Sequence, residues 1–126
     1  MKKIINTSNA PAPIGPYNQA ILSGNTLYIS GQIPMDAETG NLIEGNIQKE
    51  TKQCMKNLKA ILTEAGMTFE NVVKSSIFLA DMNQFSQVNE VYASYFKAGT
   101  APARETVEVA NLPKFVNVEI SMIAVS

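Results

Sequence analysis

The sequence predicts a single α+β domain, residues 1–126, in which one mixed β-sheet carries two helices on one face. Three observations predict it. Strand-like and helix-like apolar patterning succeed one another in the order β-β-β-α-β-α-β-β. Both amphipathic stretches fall at crossover positions between strands, which puts the two helices on the same side of the sheet. The last strand has one wholly apolar face, Val116, Val118, Ile120, Met122 and Ala124, for those helices to cover.

Each element has its own signal. Lys3 to Asn6 reads as a short edge strand, followed by an irregular loop, Thr7 to Pro16, rich in Pro, Ala and Asn. Gly15-Pro16-Tyr17-Asn18 makes a constrained corner. Strands over Asn18–Ser23 and Thr26–Ile33 join at Gly24-Asn25 in a tight hairpin. In the second of these, strict alternation puts Leu27, Ile29, Gly31 and Ile33 on one face and Tyr28, Ser30 and Gln32 on the other. A glycine inside a strand, Gly31, marks a close approach by backbone or ligand. Pro34 to Gly45 is a polar loop. Asn46 caps a helix whose apolar positions Ile47, Thr51, Cys54, Leu58, Ile61, Leu62 and Ala65 step by three and four, and Gly66 stops it.

Val72 to Leu79 alternates loosely as a strand. Asp81-Met82-Asn83 starts the second helix, with Phe85, Val88, Val91, Tyr92, Tyr95 and Phe96 as its buried stripe and Gly99 closing it. Strands over Glu105–Val109 and Val116–Val125 complete the chain, joined through a turn at Asn111-Leu112-Pro113-Lys114. The far face of that last strand carries Asn117, Glu119 and Ser121, then Ile123 and Val125. No element remains to cover it, so self-association is expected.

Composition narrows the chemistry. The chain has a net charge of −1, no His and one Cys. A weakly acidic chain with no basic cluster is not built for a nucleic-acid backbone. Nothing in it reads as a signal peptide or a membrane span, and the single cysteine fits a reducing, cytoplasmic setting. The absence of His excludes a Ser-His-Asp triad, a Cys-His pair and imidazole metal ligands. There is neither a P-loop nor a GxGxxG, so no cofactor and no metal are expected.

What remains is a guanidinium and a carboxylate. Pro102 holds Ala101 extended and stiffens the entry to a strand, leaving Arg104 at the strand's mouth where its side chain reaches over the sheet edge. Glu119 lies between Val118 and Ile120, in a run where a carboxylate is out of place. The arginine fork suits a carboxylate ligand, and a carboxylate in a half-dry cleft suits a general base. The plainer alternatives are a structural ion pair of Arg104 with Glu105, Glu108 or Glu119, and a solvated Glu119 on an open face. Cys54 sits on a helix's apolar stripe and reads as core. Ser30 has no base beside it in sequence and is not a nucleophile.

The motifs Gly15-Pro16-Tyr17, Ile29-Ser30-Gly31-Gln32, Val88-Asn89-x-x-Tyr92, Pro102-Ala103-Arg104, Leu112-Pro113-Lys114 and Val118-Glu119-Ile120, in this order, resemble those of the RidA family of reactive intermediate (enamine/imine) deaminases. The resemblance runs nearly end to end. It implies a chorismate-mutase-like fold, a homotrimer with sites between subunits, and hydrolysis of small 2-imino acids to 2-oxo acids and ammonia. Those imines arise from 2-aminoacrylate or 2-aminocrotonate. Carried over residue by residue, it implies that Arg104 binds the substrate carboxylate and that Glu119 holds or activates water. It also implies that Tyr17, Ser30, Gly31 and Asn89 line the pocket, with Thr106 where several relatives have cysteine. Glu105 adds a charge beside the site. A second functional reading is a sensing or chaperone-like trimer that uses the same cleft without turnover; a ribonuclease is a distant third for a chain without histidine or a basic groove.

Overall fold

The elements follow one another along the chain in the expected order. The computed structural model describes residues 1–126. Its strands are β1 (Lys2–Ile5), β2 (Ala20–Ser23), β3 (Thr26–Gln32), β4 (Val72–Leu79), β5 (Ala103–Glu108) and β6 (Val118–Val125). They form one six-stranded sheet in the order β1-β2-β3-β6-β4-β5. β4 and β5 are its parallel neighbours, and the other adjacent pairs are antiparallel. Two helices, α1 (Ile47–Glu64) and α2 (Phe85–Ala93), complete the architecture.

The helix ends obey local chemistry. Asn46 accepts a hydrogen bond from the Lys49 N–H at the start of α1. At the other end Gly66 takes φ +75°, and the N–H groups of Gly66 and Met67 bond back to the carbonyls of Thr63 and Leu62. The helix then lays Cys54, Met55, Leu58, Ile61 and Leu62 on the sheet, against Leu27, Ile29, Ile77, Leu79, Val118, Ile120, Met122 and Ala124. α2 adds Val88 and Tyr92 to the same core, so both helices cover one face. Two buried amides pin the loops around this core. Gln19 donates to the carbonyls of Thr7, Ala10 and Pro11 and accepts from the Thr7 N–H. Asn57 donates to those of Ile33 and Met35.

Three expectations need correction. Strict alternation in β3 fails, because Ile29 pairs with Met122 and Gln32 with Ile120. Three steps on β3 match two on β6, so a bulge at Ser30-Gly31 turns Gln32 into the interior and Gly31 to the open face. The second helix ends at Ala93, short of Tyr95, Phe96 and Gly99. Its first turn is a tighter one, Met82–Gln84, capped by Asp81. At its far end the Ser94 hydroxyl donates to the Val91 carbonyl, closing the last turn locally. Tyr95 and Phe96 still pack with Phe69 and Tyr92 as an aromatic cluster, while Phe85 is exposed. Lastly, Val116 precedes β6 rather than opening it, and joins Ile33 and Leu112 in a small separate cluster.

The face away from the helices is left open. Tyr28 is exposed there, and Ile123 and Val125 are half-buried. No helix is long and apolar enough to cross a membrane.

Candidate active site

Arg104 and Glu119 are set by the sheet's registers. Arg104 on β5 pairs with Ser75 of β4, and Glu119 on β6 pairs with Phe78 of the same strand. Ser75 and Phe78 are an odd number of residues apart, so they point to opposite faces. Ser75 is fully buried beneath α2, where its Oγ accepts from the Tyr92 hydroxyl at 2.9 Å. Arg104 therefore shares the helix face, at the sheet's edge, and Glu119 stands on the open face. Strand spacing and rise put their Cα atoms about 14 Å apart.

The guanidinium is held firmly. Its Nη1 donates to Asn89 Oδ1 at 2.8 Å, and its carbon lies 5.0 Å from the centre of the Tyr92 ring and 5.6 Å from that of Phe85. Stacking on two aromatic faces orients the planar fork and leaves its remaining donors for a ligand. No carboxylate pairs with Arg104. Glu105 turns to the other face, where it pairs with Lys74 at 2.9 Å and accepts from the Ser76 hydroxyl. Lys74 and then Ser76 hold its carboxyl below the ordinary value, so the charge expected beside the arginine is directed away from it. Glu108 accepts from the Met82 N–H instead. The cavity at Arg104 measures about 360 Å³ and is lined by Asn89, Tyr92, Phe96, Lys97 and Ala101 among others.

Glu119 sits in a second cavity of about 340 Å³ with Ile14, Tyr17, Ser30, Gly31, Ile33 and Pro113. It is half-buried, and burial pushes its carboxyl above the usual carboxylate range. The Gly31 bulge makes room for it, since a Cβ at Gly31 would lie 2.5 Å from Glu119 Oε2. Tyr17 is anchored through its hydroxyl, which accepts from the Ile14 N–H at 3.3 Å. Ser30 donates to the Asn18 carbonyl at 2.7 Å and so fixes the corner that carries Tyr17.

The structure thus divides the seven expected residues. Tyr17, Ser30, Gly31 and Glu119 meet in one cavity, and Asn89 and Arg104 in another. Thr106 follows Arg104 on the helix face, opposite Ile77, with its hydroxyl enclosed and unpartnered. Cys54 is core, and burial first, then Glu119 and Glu50, push its thiol up. Sequence reasoning missed Tyr92 and Phe85 as supports of the guanidinium, and Ile14, Ile33 and Pro113 as walls around Glu119. Tyr92 and Pro113 belonged to quoted motifs; Phe85 and Ile33 read as ordinary packing, and Ile14 as part of a loop. A roomier groove of about 590 Å³, between α1 and residues 7–9 and 36–38, contains none of the expected residues and is lined mostly by exposed polar chains.

Gly31→Ala tests the fit around Glu119. The new methyl is expected to displace the carboxylate and lower kcat by roughly ten- to a hundredfold. The melting temperature should change little, because the clashing group is a flexible side-chain end. Unchanged turnover together with an unmoved Glu119 in a crystal structure of the variant would refute this.

Fold and site define an α+β protein with a preoriented arginine at one sheet edge and an unpaired, half-buried carboxylate on the opposite face. Residues 7–126 match the family model described as Endoribonuclease L-PSP. The chain is 52% identical over 124 residues to a RutC family protein of Pyrococcus horikoshii, covering 98% of each chain. It is 51% identical over 125 residues to the 2-iminobutanoate/2-iminopropanoate deaminase of Rattus norvegicus, covering 99% of this chain and 90% of that one. A solved Rid family protein of Yersinia pestis superposes with a TM-score of 0.97 at 51% identity, covering 100% of both chains. The chain belongs to this family, the RidA and RutC proteins of the Endoribonuclease L-PSP group.

Proposed function

We propose that the protein is a cofactor-free imine hydrolase that converts small 2-imino acids into 2-oxo acids and ammonia. The observation that carries the reading is Glu119, an unpaired carboxylate with a raised pKa at the wall of a cavity. A protein that only bound an acid would need the arginine and would gain nothing from a second negative charge nearby. The relatives named as deaminases support the same chemistry.

The two half-sites support a reaction site between subunits. A 2-imino acid is only a few ångströms across and cannot bridge two faces of one sheet. A second copy, its β5 edge laid against the open face of the first, brings the Arg104 half-site to the Glu119 half-site. The exposed apolar residues of that face favour this association, and three copies around an axis close it. In the assembled cleft the guanidinium fork takes the substrate carboxylate and leaves C2 of the imine over Glu119. The carboxylate removes a proton from water as the oxygen bonds to C2 and the C=N electrons move to nitrogen. Glu119 then returns the proton to nitrogen, which gives a carbinolamine. It next takes the hydroxyl proton as the carbonyl forms and passes it to the nitrogen as the C–N bond breaks, so that ammonia leaves.

The deciding experiment couples a dehydratase that generates the imine to keto-acid detection, with semicarbazide trapping the unprocessed imine. Faster keto-acid release with this protein present is expected. No acceleration, with a carboxylate ligand still bound, would favour the sensing alternative. Light scattering should give a trimer mass at micromolar concentration; a monomer mass would remove the composite cleft.

A further inference from the structure

Glu50 is a buried acid that the proposed chemistry does not use. It is 2% exposed and has no ion-pair partner. Burying a lone carboxylate is unfavourable unless its oxygens are satisfied. Here Oε2 accepts from the Asn46 N–H at 3.2 Å, at the positive end of α1, and Oε1 accepts from Asn117 Nδ2 at 2.9 Å. The first bond is a helix cap. The second crosses from α1 to the mouth of β6.

Asn117 occupies a sensitive place. It follows the turn Pro113–Phe115, in which Lys114 (φ +54°) and Phe115 (φ +55°) are both left-handed and therefore strained. Its carbonyl accepts from the Ala80 N–H, the first bond that ties this end of the chain to β4. Two residues later comes Glu119, and Pro113 of the same turn forms a wall of its cavity. Relaxation of the strained turn would move both together. We infer that Glu50 is a positioning residue, which clamps Asn117 to the start of α1 and so holds Glu119 at its depth in the cavity. This rests on the proposed role of Glu119, but the clamp can be tested apart from it.

The ionisable groups around this part of β6 are Glu50 and Cys54 of α1 and Glu119 itself, since both acids act on the thiol. Carbon-13 NMR of the Glu119 carboxyl reads its environment directly. Glu50→Ala and Asn117→Ala should each bring its titration midpoint down toward the ordinary carboxylate range, and the double variant should do no more than either alone. Glu50→Gln should leave the midpoint near wild type, because glutamine still accepts from Asn46 and the Asn117 amide can turn over to offer its oxygen. Turnover should follow: kcat about tenfold lower in both alanine variants, KM unchanged, and glutamine rescuing. Asn117 is exposed, so its variant should fold even if Glu50→Ala does not. An unmoved midpoint in Asn117→Ala, or a shift in Glu50→Gln as large as in Glu50→Ala, overturns the inference. Wild-type turnover in Glu119→Gln would instead remove the deaminase role of Glu119 and leave the NMR result standing.

Discussion

Glu119→Gln is expected to lower kcat by about 10²–10⁴-fold, the usual contribution of a positioned general base. Glutamine keeps the shape and hydrogen-bonding reach of the side chain but cannot take a proton from water. The proposed trimer should persist, and a carboxylate ligand should bind as well or better because a repulsive charge is gone. The acid limb of the pH–rate profile, set by a carboxyl held above its ordinary range, should vanish with the side chain. Stability gives an independent readout. Because burial raises the folded-state pKa, folding favours the protonated form of Glu119. That contribution is complete below the unfolded value, about 4.3, and is lost as the pH rises through the folded one. At pH 7 the wild type carries a poorly solvated charge that the variant lacks. The variant's melting temperature should therefore be higher at pH 7, and the gap should close as the pH falls toward 4. A purely structural Glu119 predicts the reverse, with lower stability and per-site activity little changed.

Arg104→Lys keeps the charge and loses the fork. It should cost about 1.5–3 kcal/mol of transition-state stabilisation, or ten- to a hundredfold in kcat/KM. A lysine cannot donate to Asn89 and to both oxygens of a substrate carboxylate in one plane, and it loses the stacking on Tyr92 and Phe85. Weaker binding of a carboxylate ligand should accompany the loss. The melting temperature should barely move, since Arg104 lies on the edge strand and holds no ion pair within the chain. Equal ligand affinity in the variant would take Arg104 out of the binding site.

Much of this was legible in the chain itself. Val72–Leu79 was bounded correctly at both ends because a β-branched and apolar run, only loosely alternating, stops there before the helix start Asp81-Met82-Asn83. The first helix was fixed by Asn46 and Gly66, whose roles depend only on neighbours along the chain. The apolar face of the last strand and its uncovered opposite face followed from period two. Where local signals compete, the sequence is ambiguous: the Ser94 bond ends α2 early although the apolar stripe continues to Phe96.

The site divides along the same line. Residue types and motifs named Arg104, Glu119, Tyr17, Ser30, Gly31 and Asn89, and α2 does bring Asn89 to the arginine. The relation between Arg104 and Glu119 was not in the sequence. The two lie on strands that do not touch, so each has a face only relative to β4, and a shift of one residue in either register would reverse it. The bulge that turns Gly31 toward Glu119 is equally a product of pairing, because the extra residue exists only against Met122 and Ile120 of β6. Composition and periodicity determined which groups are available and which elements carry them. Strand register, a long-range property of the folded sheet, decided that the fork and the carboxylate face opposite ways, because the face of each is set only by its pairing across β4.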